Sequence, residues 1–243
     1  MRNSKSLLKM ITLSMLIALG VVISPILRVE GMCPMAHFIN IVCSVFMGPW
    51  YSLVCATLIG IIRMITMGIP PIALTGAIFG AFLSGVFYRA SKGRIIFAVL
   101  GEIIGTGIIG AIMSYPVMTF LWGKEGLSWL FYVPSFICGT LIGGSIAYVF
   151  LRKFAANGML ARIQTMLGSQ SYLDHTSILS NTLTIAACGA ILFVVIELAS
   201  DIFKLAGALW DKLSYVSLIL CAAAAILYYI TKKVKTPHAP GNP

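Results

Sequence analysis

Residues Pro34 to Arg63 read PMAHFINIVCSVFMGPWYSLVCATLIGIIR and are the most informative part of this chain about its fold. It is mostly apolar, and the pair Gly48-Pro49 interrupts an otherwise continuous helical pattern. The pattern predicts two helices joined by a tight break. The first of them, Met35–Met47, has fewer than the roughly 20 residues that cross a bilayer upright, so we expect it to be short or tilted.

The composition of the whole chain indicates a membrane protein. Of its 243 residues, 59% are hydrophobic and only 10% are charged. A soluble domain is nearer half apolar and a quarter charged. One core cannot bury this much apolar surface, so lipid must solvate a large part of it.

Eight apolar runs predict an all-α integral membrane protein, with a six-helix bundle followed by a C-terminal two-helix hairpin. We expect the bundle in residues 1–153, a cytoplasmic or interfacial linker at 154–178, the hairpin at 179–235 and a disordered tail at 236–243. The predicted spans are Leu7–Leu27, Met35–Met47, Trp50–Met67, Ile72–Tyr88, Ile95–Met118, Leu127–Leu151, Leu179–Ala199 and Leu213–Thr231.

The basic residues orient these spans. With the N-terminus in the cytoplasm and eight crossings, few Lys and Arg residues face the outside: Arg28, Lys124, Lys204 and Lys212. The others lie in cytoplasmic clusters at 2–9, 89–94, 152–162 and 232–235, apart from Arg63 within a span. Positive charge is typical of cytoplasmic loops, so both termini are expected in the cytoplasm. The net charge of +10 forms no continuous basic stripe, which argues against nucleic-acid binding.

The first run also fits a cleaved signal peptide. However, the run is long, and the residues Ser24 to Arg28 lack a small-x-small cleavage pattern. We therefore expect an uncleaved helix.

Arg63 is the costliest polar residue in the predicted bundle, and such residues usually have a function. Ser52, Ala56, Gly60 and Arg63 share one helix face, and small residues mark a helix contact. Arg63 is thus predicted to point into the bundle and to anchor a ligand. The alternative is an arginine that reaches the outer interface.

Glu102 and Thr106 lie one turn apart in the run GEIIGTGIIGAIMSYPV, whose small-xxx-small spacings predict close helix packing. Glu102 is a candidate ligand contact or proton carrier, or a structural carboxyl hydrogen-bonded between helices. Counting along the helices places it nearer the cytoplasm and Arg63 nearer the outside, so an ion pair between them is not expected.

His37 and Asn40 also lie one helical turn apart, after a predicted outside loop. With Tyr115, Trp122 and Tyr132 they would line an outward-facing pocket, although aromatic residues are also usual at a membrane interface. The predicted ligand-binding set is therefore His37, Asn40, Arg63, Glu102, Thr106 and Tyr115. Tyr115 is far round the helix from Glu102 unless Pro116 distorts it.

Ser14 and Ala18 form a small-xxx-small pair on the first helix, suited to docking another membrane protein or to internal packing. The sequence contains no P-loop, HExxH or GxSxG motif. Its six cysteines form no CxxC pair. Neither a metal nor another cofactor is expected, and an enzyme is disfavoured.

Three runs, HFINIVCSVFMGPWYSLVCATLIGIIR, LTGAIFGAFLSGVFYR and GEIIGTGIIGAIMSYPV, resemble the ThiW family over roughly residues 7–153. Members are substrate-binding S components of energy-coupling-factor (ECF) transporters, associated with the thiazole precursor of thiamine. The resemblance implies a six-helix fold and an outward pocket closed by the loop after the first helix. It also implies a membrane T component and two cytoplasmic ATPases as partners, with Ser14 and Ala18 matching the T-component contact. The hairpin departs from the family pattern.

The function predicted from this resemblance is uptake of hydroxyethylthiazole or a close derivative. The alternatives are an S component for another vitamin, a self-sufficient secondary carrier, and an integral membrane enzyme that uses Glu102. A structural membrane subunit without a ligand is a further alternative.

Overall fold

The computed structural model describes residues 2–26, 32–172, a few positions between 178 and 196, and 208–235. The chain divides into two compact units, Met1–Asp174 and His175–Pro243. The first unit therefore includes most of the segment predicted as a linker. The described part of each unit is helical.

The first unit contains seven described helices. Five are long and apolar enough to cross a membrane, and the 14-residue α2 is shorter, as predicted. The fifth, α5, is continuous but has π-helical geometry at Ile103–Gly110 and Val117–Leu121. The helices are α1 (Arg2–Ile23), α2 (Pro34–Met47), α3 (Pro49–Met67), α4 (Ile72–Ala90), α5 (Ile95–Leu121), α6 (Val133–Ala156) and α7 (Met159–Met166).

The break between α2 and α3 lies at Gly48 and Pro49. Gly48 has φ +92°, a left-handed conformation that L side chains rarely adopt, and the guanidinium of Arg89 occupies the space that a Cβ would need. Pro49 then begins α3 at a position where no N–H is required. We call this the Gly48 end of the bundle. The opposite end, where α2 and α4 begin and α3 finishes, is the Cys33 end.

Helices α4 and α5 approach closely through glycines. A Cβ added to Gly105 would lie 2.5 Å from the Cα of Gly80, and one added to Gly101 would lie 2.5 Å from the carbonyl oxygen of Leu83. The small-xxx-small prediction for α5 is confirmed, because small residues let the two backbones meet.

The main core follows α2, whose residues from Ile39 to Met47 are all buried. At about 1.5 Å per residue, α2 is too short for a bilayer core of about 30 Å. Helix α7 packs against its end. Gln164 is fully buried, and its Nε2 donates hydrogen bonds to the carbonyl of Val45 (2.8 Å) and to the hydroxyl of Tyr88 (3.0 Å).

The described residues of the second unit include α8 (Ala208–Lys235), which contains the predicted span Leu213–Thr231. Asn181 donates a hydrogen bond of 2.8 Å to the hydroxyl of Tyr228. Most of the other predicted hairpin helix, Leu179–Ala199, lies outside the described residues, as does the predicted tail. With α8, six described helices are long and apolar enough to cross a membrane.

The Gly105–Gly80 contact predicts the effect of added bulk. We expect Gly105→Val to destabilise the protein by about 1–3 kcal/mol, because an overpacked contact must push two backbones apart. Thermal unfolding in detergent measures the change. Ile108→Ala on the same helix is the control, since Ile108 is 42% exposed. Unchanged melting of the Gly105 variant would contradict the packing.

Candidate functional site

A cavity of about 80 Å³ lies at the Cys33 end of the bundle. It is bounded by the residues before α2, the ends of α3 and α6 that lie there, and the first turns of α2 and α4. Its polar lining residues are Cys33, His37 and Arg63, and the rest of its wall is apolar, including Ile69 and Phe136. The cavity is well below the roughly 300–1,000 Å³ of sites for drug-sized ligands, so it suits a small molecule.

Arg63 contributes the positive charge of the cavity. It is only 4% exposed, and its Nε is buried without a hydrogen-bond partner among the described residues. Ser52, Ala56 and Gly60 on the same face are buried too. The prediction that Arg63 points into the bundle is therefore confirmed. A buried donor without a partner is costly, which a ligand acceptor would relieve.

Glu102 is the centre of a buried hydrogen-bond cluster behind the cavity. One carboxylate oxygen, Oε1, lies 2.9 Å from Nδ1 of His37 and accepts hydrogen bonds from Nδ2 of Asn40 (3.0 Å) and Oγ1 of Thr106 (3.1 Å). Glu102 is fully buried. The cluster thus ties α2 to α5 by side chains that the sequence placed one turn apart on each helix.

Two further helices support the cluster. Gly80 of α4 faces it, since an added Cβ would lie 2.8 Å from Cδ and Oε2 of Glu102. Ser52 of α3 donates a hydrogen bond of 2.8 Å to the backbone carbonyl of Asn40. Residues of α2, α4 and α5 therefore surround the Glu102 side chain. Helix α3 holds the backbone of α2 in place through Ser52.

His37 belongs to both the cluster and the cavity. Its Nδ1 faces Glu102, and its side chain is 9% exposed and lines the cavity beside Arg63. The only ion pair seen for Glu102 in the described part of the chain is with His37, in line with the expectation that it would not pair with Arg63. His37, near the start of the short α2, contacts Glu102 and also lines the cavity with Arg63. It thus connects Glu102 and Arg63, which counting along the helices had placed at different depths.

Of the six predicted ligand-binding residues, His37 and Arg63 line the cavity, and Asn40, Glu102 and Thr106 lie in the cluster behind it. Tyr115 belongs to neither the cavity nor the cluster. Its ring packs on Trp129, with centroids 4.5 Å apart, and it does not line the cavity. Of the other aromatic candidates, Trp122 is 54% exposed and Tyr132 is buried. A ligand contact by Tyr115 stays a prediction that the cavity does not support.

The sequence analysis missed the apolar wall and Cys33. Phe136, Ile69 and Ile72 line the cavity, but they resemble every other apolar residue of the spans. Cys33 gave a weak signal, because it is the one cysteine of the six that lies outside the predicted spans. Its Sγ donates to the carbonyl oxygen of Ser24 at 2.9 Å.

The cavity has the features of a binding site. It offers a buried cation, an imidazole and an apolar wall, which suit a small, partly polar ring. Among the described residues, no group of three or more His, Cys, Asp or Glu side chains could hold a metal ion.

A comparison with family models finds a match to ThiW, described as thiamine-precursor transporter protein, over residues 10–157. No curated protein and no solved structure matches the chain. The match covers more than half of the chain and includes every residue of the cavity and of the Glu102 cluster. The chain therefore belongs to the ThiW family of thiamine-precursor transporter proteins and is a multi-pass membrane protein.

Proposed function

We propose that this protein is the substrate-binding S component of an ECF-type uptake transporter and that it binds hydroxyethylthiazole or a close derivative in the Cys33-end cavity. The observation that carries this proposal is Arg63, a buried cation without a described partner in a small apolar cavity of a thiamine-precursor transporter. His37 adds a second polar contact, and Asn40, Glu102 and Thr106 support His37 from behind.

The cavity walls support a ring-shaped ligand. Phe136, Ile69 and Ile72 supply apolar contact for a flat heteroaromatic ring, and Arg63 supplies donors for its polar substituent. The small volume favours a precursor over the larger intact vitamin. Glu102 stands behind His37 and does not line the cavity, which favours a binding role over acid–base catalysis.

The charge distribution supports an outward-facing cavity. Arg89, Lys92, Arg94, Arg152 and Lys153 all lie at the Gly48 end of the bundle. Because positive loops face the cytoplasm, the Cys33 end would face outside, as capture of an external nutrient requires.

The exposed face of α1 supports a membrane partner. Ser14 and Ala18 are exposed on a helix whose side chains are mostly exposed, so the alternative of internal packing finds no support. In the proposed assembly this face contacts the T component, and two cytoplasmic ATPases drive uptake.

Ligand binding tests the proposed site. We expect calorimetry on the detergent-purified protein to show binding of hydroxyethylthiazole in preference to hydroxymethylpyrimidine and thiamine. Arg63→Ala should weaken binding about 10- to 100-fold, the range for a lost hydrogen bond to a charged group. Ile65→Ala, at a position 78% exposed on the same helix, is the control. Absence of binding by folded protein would refute the thiazole assignment.

Labelling of Cys33 tests the orientation. In a Cys188→Ser, Cys221→Ser variant, Cys33 is the only cysteine that is not buried. We expect a membrane-impermeant maleimide to label it on intact cells, and hydroxyethylthiazole to slow the reaction because Cys33 lines the cavity. A Cys33→Ala derivative gives the background. Labelling only after permeabilisation would place the cavity on the cytoplasmic side.

Bulk on α1 tests the partner contact. Ser14→Leu with Ala18→Leu should reduce co-purification of the T component and ATPases from host membranes, because small residues allow close helix approach. Ligand binding should stay unchanged. Leu19→Phe is the matched control at another exposed position of α1. Full co-purification by the double variant would exclude this face.

A further inference from the structure

We propose that Glu102 is a positioning residue that holds the proton of His37 on Nδ1, so that the cavity presents Nε2 as a hydrogen-bond acceptor beside the donors of Arg63. The site would then select a ligand that carries a donor, such as the O–H of an alcohol, as well as an acceptor. The location of the ligand rests on the proposed function, whereas the state of His37 does not.

One proton lies in the contact between His37 and Glu102. Oε1 of Glu102 lies 2.9 Å from Nδ1 of His37 and also accepts hydrogen bonds from Asn40 and Thr106. A carboxyl oxygen has two lone pairs, and the hydrogen bonds from Asn40 and Thr106 occupy both of those on Oε1, so Oε1 carries no proton. The proton in the short His37–Glu102 contact therefore lies on Nδ1.

The other ring nitrogen of His37, Nε2, is then a hydrogen-bond acceptor. A neutral imidazole with its proton on Nδ1 has a bare lone pair on Nε2. In the proposed state the ring is neutral, with Nδ1–H facing Glu102 and the lone pair of Nε2 left to accept a hydrogen bond.

Nε2 of His37 is accessible to a ligand. None of the described residues forms a hydrogen bond to this atom, and the side chain lines the cavity. Helix α6 lies beside it without a side chain in the way: an added Cβ on Gly139 would lie 3.3 Å from Nε2. Nε2 therefore has no hydrogen-bond partner among the described residues, and in the proposed complex the ligand supplies one.

His37 and Arg63 offer complementary groups to one ligand, an acceptor and donors. A guanidinium only donates hydrogen bonds, and Nε of Arg63 is buried without a described acceptor. Both side chains line a cavity of about 80 Å³, so one small ligand reaches both. An alcohol can donate to His37 and accept elsewhere, whereas a methyl ether lacks the donor and a phosphate ester opposes the lone pair of Nε2.

The state of His37 is tested without any ligand. The full chain, labelled with ¹⁵N-histidine, contains only His37, His175 and His238, and His37→Gln identifies the His37 signals. We expect a protonated Nδ1 and an unprotonated Nε2 in the wild type at neutral pH. Glu102→Gln keeps an acceptor and should preserve this pattern, while Glu102→Leu should lose it. A protonated Nε2 in the wild type would overturn the proposal, even if Glu102→Leu fails to fold.

The selectivity is tested by calorimetry with hydroxyethylthiazole, its methyl ether and its phosphate. We expect the alcohol to bind at least tenfold more tightly than either derivative. This ratio should collapse in Glu102→Leu but persist in Glu102→Gln and in the control Ile108→Ala, a pattern that a purely structural role would not produce. Equal binding of alcohol and ether would overturn the inference and leave the proposed function standing. If no thiazole binds, the proposed function fails and the ¹⁵N spectrum still decides the state of His37.

Discussion

The buried carboxylate of Glu102 is the interaction on which the centre of the bundle depends. An ionisable group with no exposure is expensive in a membrane. Here Oε1 accepts hydrogen bonds from Asn40 of α2 and Thr106 of α5 and lies 2.9 Å from Nδ1 of His37, while Oε2 has no partner among the described residues. Close packing makes this convergence geometrically feasible. Gly80 and Gly105 bring α4 and α5 into backbone contact. The Glu102 carboxylate then lies within hydrogen-bond distance of Asn40 on α2.

The same cluster connects the stability of the bundle to its cavity. His37 has one nitrogen against Glu102 and a side chain that lines the cavity, so a residue that helps to hold α2 in place also shapes the binding surface. Arg63 completes the surface from α3, with its charge held in the bundle by a helix face of small residues. Two of the three polar lining residues, His37 and Arg63, thus come from helices that only Gly48 separates in the sequence.

The short α2 has consequences at both ends of the bundle. At the Cys33 end, Ala36 and His37 of its first turn line the cavity. At the Gly48 end its last carbonyls need partners, and Gln164 of α7 supplies one to Val45. Helix α7 follows the residues matched by the family model, which end at residue 157. Most of the segment predicted as a linker lies within the first unit, which ends at Asp174.

The sequence predicted the family, the short α2 and most of the described helices with their approximate bounds, but not α7, which lies in the segment predicted as a linker. It also predicted His37 and Arg63, which line the cavity. Apolar length, the Gly48-Pro49 break and one-turn spacings such as His37–Asn40 are local properties, and they hold wherever the helices pack. Only the tertiary structure decided which polar side chains meet. The pairing of His37 with Glu102 spans 65 residues and depends on the depth of a short helix and on the contact between Gly80 and Gly105. The sequence also could not predict that Ile69, Ile72 and Phe136 line the cavity. In a membrane protein the same apolar residue types face a ligand, another helix or the lipid, so the residue type does not tell these positions apart.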